Sequence, residues 1–168
     1  MSTRHPVIAV TGSSGAGTST VKTAVEHIFL RERLNATTIE GDSFHKFDRY
    51  QMREEVAKAQ QTGRDLSHFG PDSNHFEKLE TLFKSYSETG TGKIRYYLHN
   101  ELEAASYKQK PGTFTPWEEI TDETDLLFYE GLHGGVVHGS VNIAQHVDLL
   151  VGVVPIVNLE WIQKIHRD

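Results

Sequence analysis

Two hydrophobic rhythms alternate along this chain: short, nearly continuous apolar runs, and longer stretches in which apolar residues recur every third or fourth position. The runs at Val7–Thr11, Thr37–Glu40, Leu126–Tyr129 and Val147–Val154 predict buried strands. The last is almost all Val and Leu, as strands of parallel sheets tend to be. Arg95-Tyr-Tyr-Leu98 predicts a weaker fifth strand. Helical spacing predicts helices from Ser19 to about Arg33, from about Asp48 to Gln61, and from Asn74 to Tyr86. In the third, Phe76, Leu79, Leu82, Phe83 and Tyr86 share one face, and Asn74 with Glu77 reads as a capping pair at its start.

Strands alternating with helices imply an α/β fold, a mostly parallel sheet with helices on both faces. Ligands in such sheets gather beyond the carboxyl ends of the strands, so the residues just after each apolar run are the ones to examine.

The first run is followed by Gly12-Ser13-Ser14-Gly15-Ala16-Gly17-Thr18-Ser19-Thr20, which opens onto the first predicted helix. Glycines in this frame let successive backbone N–H groups point at phosphate oxygens, and the helix N-terminus adds partial positive charge. The residues predict a phosphate cradle for a nucleoside triphosphate, a P-loop. Gly12, Gly17 and Ser19 fit G-x-x-x-x-G-K-[ST], with the Ser19 hydroxyl placed to reach Mg²⁺, but Thr18 stands at the lysine position. The alternative is a flexible glycine-serine turn; the apolar segments pressed against both ends of the loop argue against it.

After the second run, Glu40-Gly41-Asp42 puts a carboxylate at a strand end, where it can take a proton from an attacking hydroxyl or, equally, serve as a turn or cap residue. His45 and Arg49 follow at spacings of three and four, and a helix there would bring all three to one face, with Arg49 and His45 able to hold a substrate phosphate. After the third major run, Glu130 stands where Mg²⁺ ligands commonly stand, beside Gly131, Gly134 and Gly135. His133 and His138 match no zinc signature. After the last run, Leu159, Ile162 and Ile165 recur at helical spacing, and Lys164 or Arg167 can supply the cation missing at Thr18.

Composition narrows the picture. The chain has 168 residues, one domain's worth, with 37% hydrophobic and 24% charged residues, as in an ordinary soluble domain. No apolar run approaches a membrane span, and the amino terminus leads into the first strand without a signal region, so a cytoplasmic protein with no membrane partner is expected. A net charge of -6 argues against non-specific nucleic-acid binding. With no cysteine there are no disulfides, thiolate metal sites or thiol switches.

Taken together, the strings at 12–18, 40–45, 127–134 and 155–164 make the chain resemble the phosphoribulokinases of the bacterial type, from the first strand to the last residue. The resemblance implies a P-loop kinase fold and transfer of the ATP γ-phosphoryl group to the C1 hydroxyl of ribulose 5-phosphate, a Calvin cycle step. It implies Asp42 as general base, His45, Arg49 and Arg167 as sugar-phosphate contacts, and Glu130 near Mg²⁺. It further implies that Lys164 and Arg167 stabilise the transferring charge and that Asp168 is a second essential carboxylate. In this family the loop lacks lysine, so Thr18 follows the pattern. Family members continue well past residue 168, so residues 1–168 are expected to be a single kinase core, the amino-terminal part of a longer domain. Assembly into a homo-oligomer with NADH and AMP as effectors is expected of the longer form. The alternatives are a kinase for another sugar phosphate, a nucleoside kinase of the uridine kinase type, and an inactive nucleotide-binding fragment.

Overall fold

The computed structural model describes residues 5–121, 123–156, 158, 161–162 and 165. Strand β1 (Val7–Gly12) runs into the glycine loop and helix α1 (Thr18–Glu32), and the chain returns through β2 (Ala36–Glu40). A 3-10 turn (Gly41–Phe44) then leads to α2 (Arg49–Gln61), and a second one (Pro71–Ser73) precedes α3 (Phe76–Thr89). Next come β3 (Lys93–Ile94), α4 (Glu101–Tyr107), β4 (Glu118–Glu119) and β5 (Leu126–Gly131). The short strands β6 (Val137–His138) and β7 (Val141–Asn142) and a third 3-10 turn (Ile143–His146) lead into β8 (Leu149–Val153).

The four principal predicted strands form one sheet in the order β2-β5-β1-β8, every pairing parallel. Because side chains alternate across a strand, successive residues serve different layers. Val7 and Ala9 of β1 with Leu127 and Tyr129 of β5 pack against Phe76, Leu79, Leu82, Phe83 and Tyr86 of α3. Val10, Leu126 and Phe128 face Phe29, Val21 and Val25 of α1 on the other side.

Local signals account for the helix ends. Helix α1 stops in a Schellman-type turn, with Leu34 N–H donating to the Phe29 carbonyl at 2.9 Å and Arg33 at φ 58. Asp48 and Gln51 form a reciprocal capping box at the start of α2. Gly90, at φ 76, ends α3.

Three expectations are corrected, and one helix is added. Arg95–Leu98 is no strand of the sheet: β3 lies earlier and pairs antiparallel with β4, leaving Tyr97 in an isolated bridge to Phe114. Helix α3 starts at Phe76 with His75 at its cap position, and Asn74 does not cap it because its side chain is engaged elsewhere. The apolar run at 149–153 forms a strand that is not fully buried: among the described residues β8 is at the edge of the sheet, and Leu149 and Leu150 are 53% and 45% exposed. Helix α4 was not anticipated. It is short, and its signal is the Asn100 cap, whose side chain accepts from Glu103 N–H at 3.0 Å.

Candidate active site

Beyond the carboxyl ends of β1, β2 and β5 lies a cleft of about 800 Å³. The glycine loop forms its floor, and every residue from Gly12 to Thr20 lines it except the buried Ala16. Gly15 and Gly17 take φ values of 90 and 94, the left-handed region that costs glycine least. Gly12 is held for a different reason: a Cβ there would stand 2.8 Å from the Val153 carbonyl oxygen and 2.9 Å from Thr18 Cγ2. Helix α1 begins at Thr18 with Gly17 at its cap, and no side chain caps it. Its first N–H groups are therefore left for an anion.

Thr18 has a different partner from a phosphate-loop lysine. Its side chain hydrogen-bonds to Glu130, at the end of β5. Burial raises the Glu130 carboxyl above its usual value, Glu40 and Asp42 add to that, and Thr18 opposes it. Ser19 is exposed on the same cleft. A hydroxyl and a carboxylate whose proton is loosened by any nearby cation are a hard-oxygen donor pair of the type Mg²⁺ takes alongside phosphate oxygens. Among the described residues there is no group of three His, Cys, Asp or Glu side chains arranged to hold a metal by themselves.

Asp42 lies in the 3-10 turn after β2, its side chain 52% exposed toward the cleft. The buried His45 ring contacts it, Nε2 standing 3.2 Å from Asp42 Oδ1. Burial would push the Asp42 carboxyl up, but the hydrogen bond and charge of His45 outweigh it and hold it below its ordinary value.

The single helical face expected for Asp42, His45 and Arg49 does not form. The turn ends at Phe44, His45 is extended, and Arg49 opens α2 as a separate element. Arg49 Nη2 donates to the His99 carbonyl at 3.2 Å, and Arg49 does not line the cleft. The predicted residues Lys164, Arg167 and Asp168 lie outside the described residues.

Several residues in or beside the cleft were given no role from the sequence. His68 comes from the loop before α3, and its ring centroid lies 4.3 Å from that of His45. His133 Nε2 is 3.0 Å from the Phe69 carbonyl oxygen, to which it donates; burial holds this imidazole below its usual value. His99 and Lys22 converge on Glu40, with His99 Nε2 at 3.4 Å from Oε2 and Lys22 Nζ at 2.5 Å from Oε1. The hydrogen bond from His99, followed by that from Lys22, holds the Glu40 carboxylate at about 2 despite its burial. Glu40 in turn raises His99. Lys22 falls one turn after Thr18 on α1, and that spacing was the available signal.

Comparison with known proteins follows from this geometry. Residues 7–168 match the Phosphoribulokinase / Uridine kinase family. The chromosomal phosphoribulokinase of Cupriavidus necator is 59% identical over 169 residues, which is 100% of this chain and 58% of that protein. The phosphoribulokinase of Rhizobium meliloti is 56% identical over 168 residues, again 58% of its length. The chain thus spans less than two thirds of these relatives. Among solved structures, the phosphoribulokinase from Rhodobacter spheroides superposes with a TM-score of 0.85 at 48% identity, covering 98% of this chain and 56% of that one. A possible uridine kinase from Bacillus stearothermophilus, 14% identical with a TM-score of 0.63, shares the fold.

Proposed function

We propose, from the premise that this chain belongs to the Phosphoribulokinase / Uridine kinase family, that the protein transfers the γ-phosphoryl group of ATP to the C1 hydroxyl of ribulose 5-phosphate. The observation that carries the reading is the half-exposed Asp42 carboxylate facing the same cleft as the glycine loop. The phosphoribulokinases at 56–59% identity support the choice of sugar phosphate over nucleoside.

In this mechanism the loop N–H groups and the start of α1 hold the triphosphate and aim its terminal phosphorus into the cleft. Asp42 Oδ1 is occupied by His45, so Oδ2 accepts the proton of the C1 hydroxyl as its oxygen bonds to the γ-phosphorus. The bond from that phosphorus to the bridging oxygen breaks, and ADP leaves. Ser19 and Glu130 would hold Mg²⁺, which when bound offsets phosphate charge. Arg49 and Arg167 are assigned to the sugar phosphate, and Lys164 and Asp168 to the transferring group; His45, expected as a third sugar-phosphate contact, is buried with its ring nitrogens at Asn74 and Asp42 and is assigned to holding Asp42 instead. No described helix is long and apolar enough to cross a membrane; a cytoplasmic homo-oligomer is the proposed state of the full natural protein.

ADP release by the full natural protein with ATP and ribulose 5-phosphate tests the reading, with uridine as the competing acceptor. Turnover on the sugar phosphate is expected. Turnover on uridine alone, or none with either in folded protein, overturns it.

A further inference from the structure

The backbone just after Asp42 is held from two sides by segments far away in the chain. On one side the Phe44 carbonyl accepts from His75 N–H at 2.8 Å, and Lys46 N–H donates to the Ser73 carbonyl at 2.8 Å, so the segment before α3 pins that edge. The other edge is held by a single side chain. The Ser43 and His45 carbonyls both accept from the guanidinium of Arg95, the first from Nε at 2.8 Å and the second from Nη2.

Arg95 reaches these carbonyls stacked on aromatic rings. Its guanidinium carbon lies 3.6 Å from the centroid of Phe114 and 4.5 Å from that of Trp117. The segments on either side are tied together: Thr115 N–H donates to the Tyr96 carbonyl at 2.9 Å, Tyr96 N–H donates to Thr115 Oγ1 at 2.9 Å, and Tyr97 bridges to Phe114. Trp117 also meets the buried Phe44 of the turn edge to face, with centroids 5.5 Å apart. Two carbonyls on one edge need two N–H groups in a fixed fork, and ring faces attract a flat cation; a guanidinium supplies both, an ammonium does not. Arg95 does not line the cleft, and the two nitrogens named here are spent on backbone, so its route to the site runs through the turn.

We propose that Arg95 is a positioning residue that clamps the backbone on the carboxyl side of Asp42 and thereby fixes where that carboxylate stands in the cleft. The proposal rests on the reading of Asp42 as the proton acceptor. Without the clamp the turn keeps the bond from His45 N–H to the Asp42 carbonyl at 3.2 Å and its pairing with the segment before α3, so the chain still folds. The carboxylate, however, loses its fixed place, and a misplacement of about 1 Å can cost a reaction about a hundredfold.

The test compares the full natural protein with Arg95→Lys and Arg95→Ala. Each variant should lower kcat by about ten- to a hundredfold and leave KM for ATP unchanged. Ethylguanidinium, added well below any denaturing concentration, should restore part of kcat to Arg95→Ala by entering the space between the rings, and ethylammonium should not. Hydrogen exchange without ligands should quicken from Ser43 to Lys46 in both variants and stay unaltered from Gly12 to Thr20. Unchanged kcat, a parallel rise in KM for ATP, or a recovery with ethylguanidinium no greater than with ethylammonium overturns the proposal. Failure of both variants to fold also overturns it, because Arg95 would then hold the fold and not the turn. The exchange measurement needs no turnover: a natural protein inactive on ribulose 5-phosphate refutes the assigned reaction, and unaltered exchange from Ser43 to Lys46 refutes the clamp.

Discussion

Lys22 of α1 reaches Glu40 at the end of β2, with Nζ 2.5 Å from Oε1. Both residues line an adjoining cavity of about 730 Å³, and Glu40 lines the phosphate-loop cleft as well. The first helix thus delivers a cation one turn beyond the position that Thr18 holds, and that cation is tied to a carboxylate. Lys22 is raised by Glu40 even though burial works the other way. At 21% and 39% side-chain exposure the pair sits near the surface, where such bonds are worth about 1 kcal/mol or less. Lys22→Met should therefore lower the urea midpoint only slightly while freeing Glu40 to pair with His99 alone. A loss of stability well beyond that scale would mean the pair is more deeply buried than its exposure indicates.

Gly12 and Gly152 sit on neighbouring strands with opposite surroundings. A Cβ at Gly12 would clash with the Val153 backbone, whereas one at Gly152 meets nothing within 4 Å. Gly12→Ala should move the loop off its anion geometry and weaken ATP binding by tenfold or more, a loss of about 1.4 kcal/mol for each decade. Gly152→Ala should bind ATP normally. Calorimetry with ATP and Mg²⁺ checks both, and equal affinities would dissociate the loop from the nucleotide.

Arg49 connects α2 to the segment carrying His99 through its bond to the His99 carbonyl, and its side chain lies against Gly112, where a Cβ would come within 2.8 Å of Arg49 Cβ. Arg49→Ala should raise KM for the sugar phosphate roughly tenfold, the scale of a charge-assisted hydrogen bond of about 1.5 kcal/mol, with KM for ATP unchanged. A selective rise in the ATP KM would contradict the assignment.

Asp42→Asn keeps a hydrogen-bonding group of the same shape beside His45 but removes the base. Steady-state kinetics should show kcat lower by about two to four decades, the usual span for a positioned proton acceptor, with ATP affinity little altered. Retained kcat would remove Asp42 from that role.

Stability should rise with pH between about 4 and 6.5 on account of His75. Burial, with Lys78, Arg95 and Lys46 adding to it, pushes this imidazole down to about 4 from 6.5. Between those values the unfolded chain binds a proton that the folded chain does not, so acid favours unfolding. The contribution is complete above 6.5 and is lost as pH falls through 4. Glu40, held at about 2, adds a loss of the same sign at still lower pH. His75→Gln should flatten Tm against pH in the upper window; an unchanged slope would assign the effect elsewhere.

The strands of the sheet and the helices α1 to α3 were legible because burial on two faces leaves a period: Val7 and Ala9 face one layer, Val10 the other, and the α3 stripe repeats at helical spacing. The glycine loop was legible because its backbone needs glycine. Asn74 was misread as a cap because local pattern fits that role equally well, and only the bridge to His45 selects between them. The exposure of β8 escaped prediction because composition reports what a strand can bury, while its place in the sheet decides what it does bury.

By itself the sequence determined the alternation of strand and helix, the phosphate loop and the carboxylates at the strand ends, all written in neighbouring residues. The tertiary structure alone decided which side chains share a proton or a charge: Asn74 with His45, Lys22 and His99 with Glu40, Thr18 with Glu130. Such pairings depend on distances of a few ångströms between atoms far apart in the chain, and hydrophobic period carries no record of them.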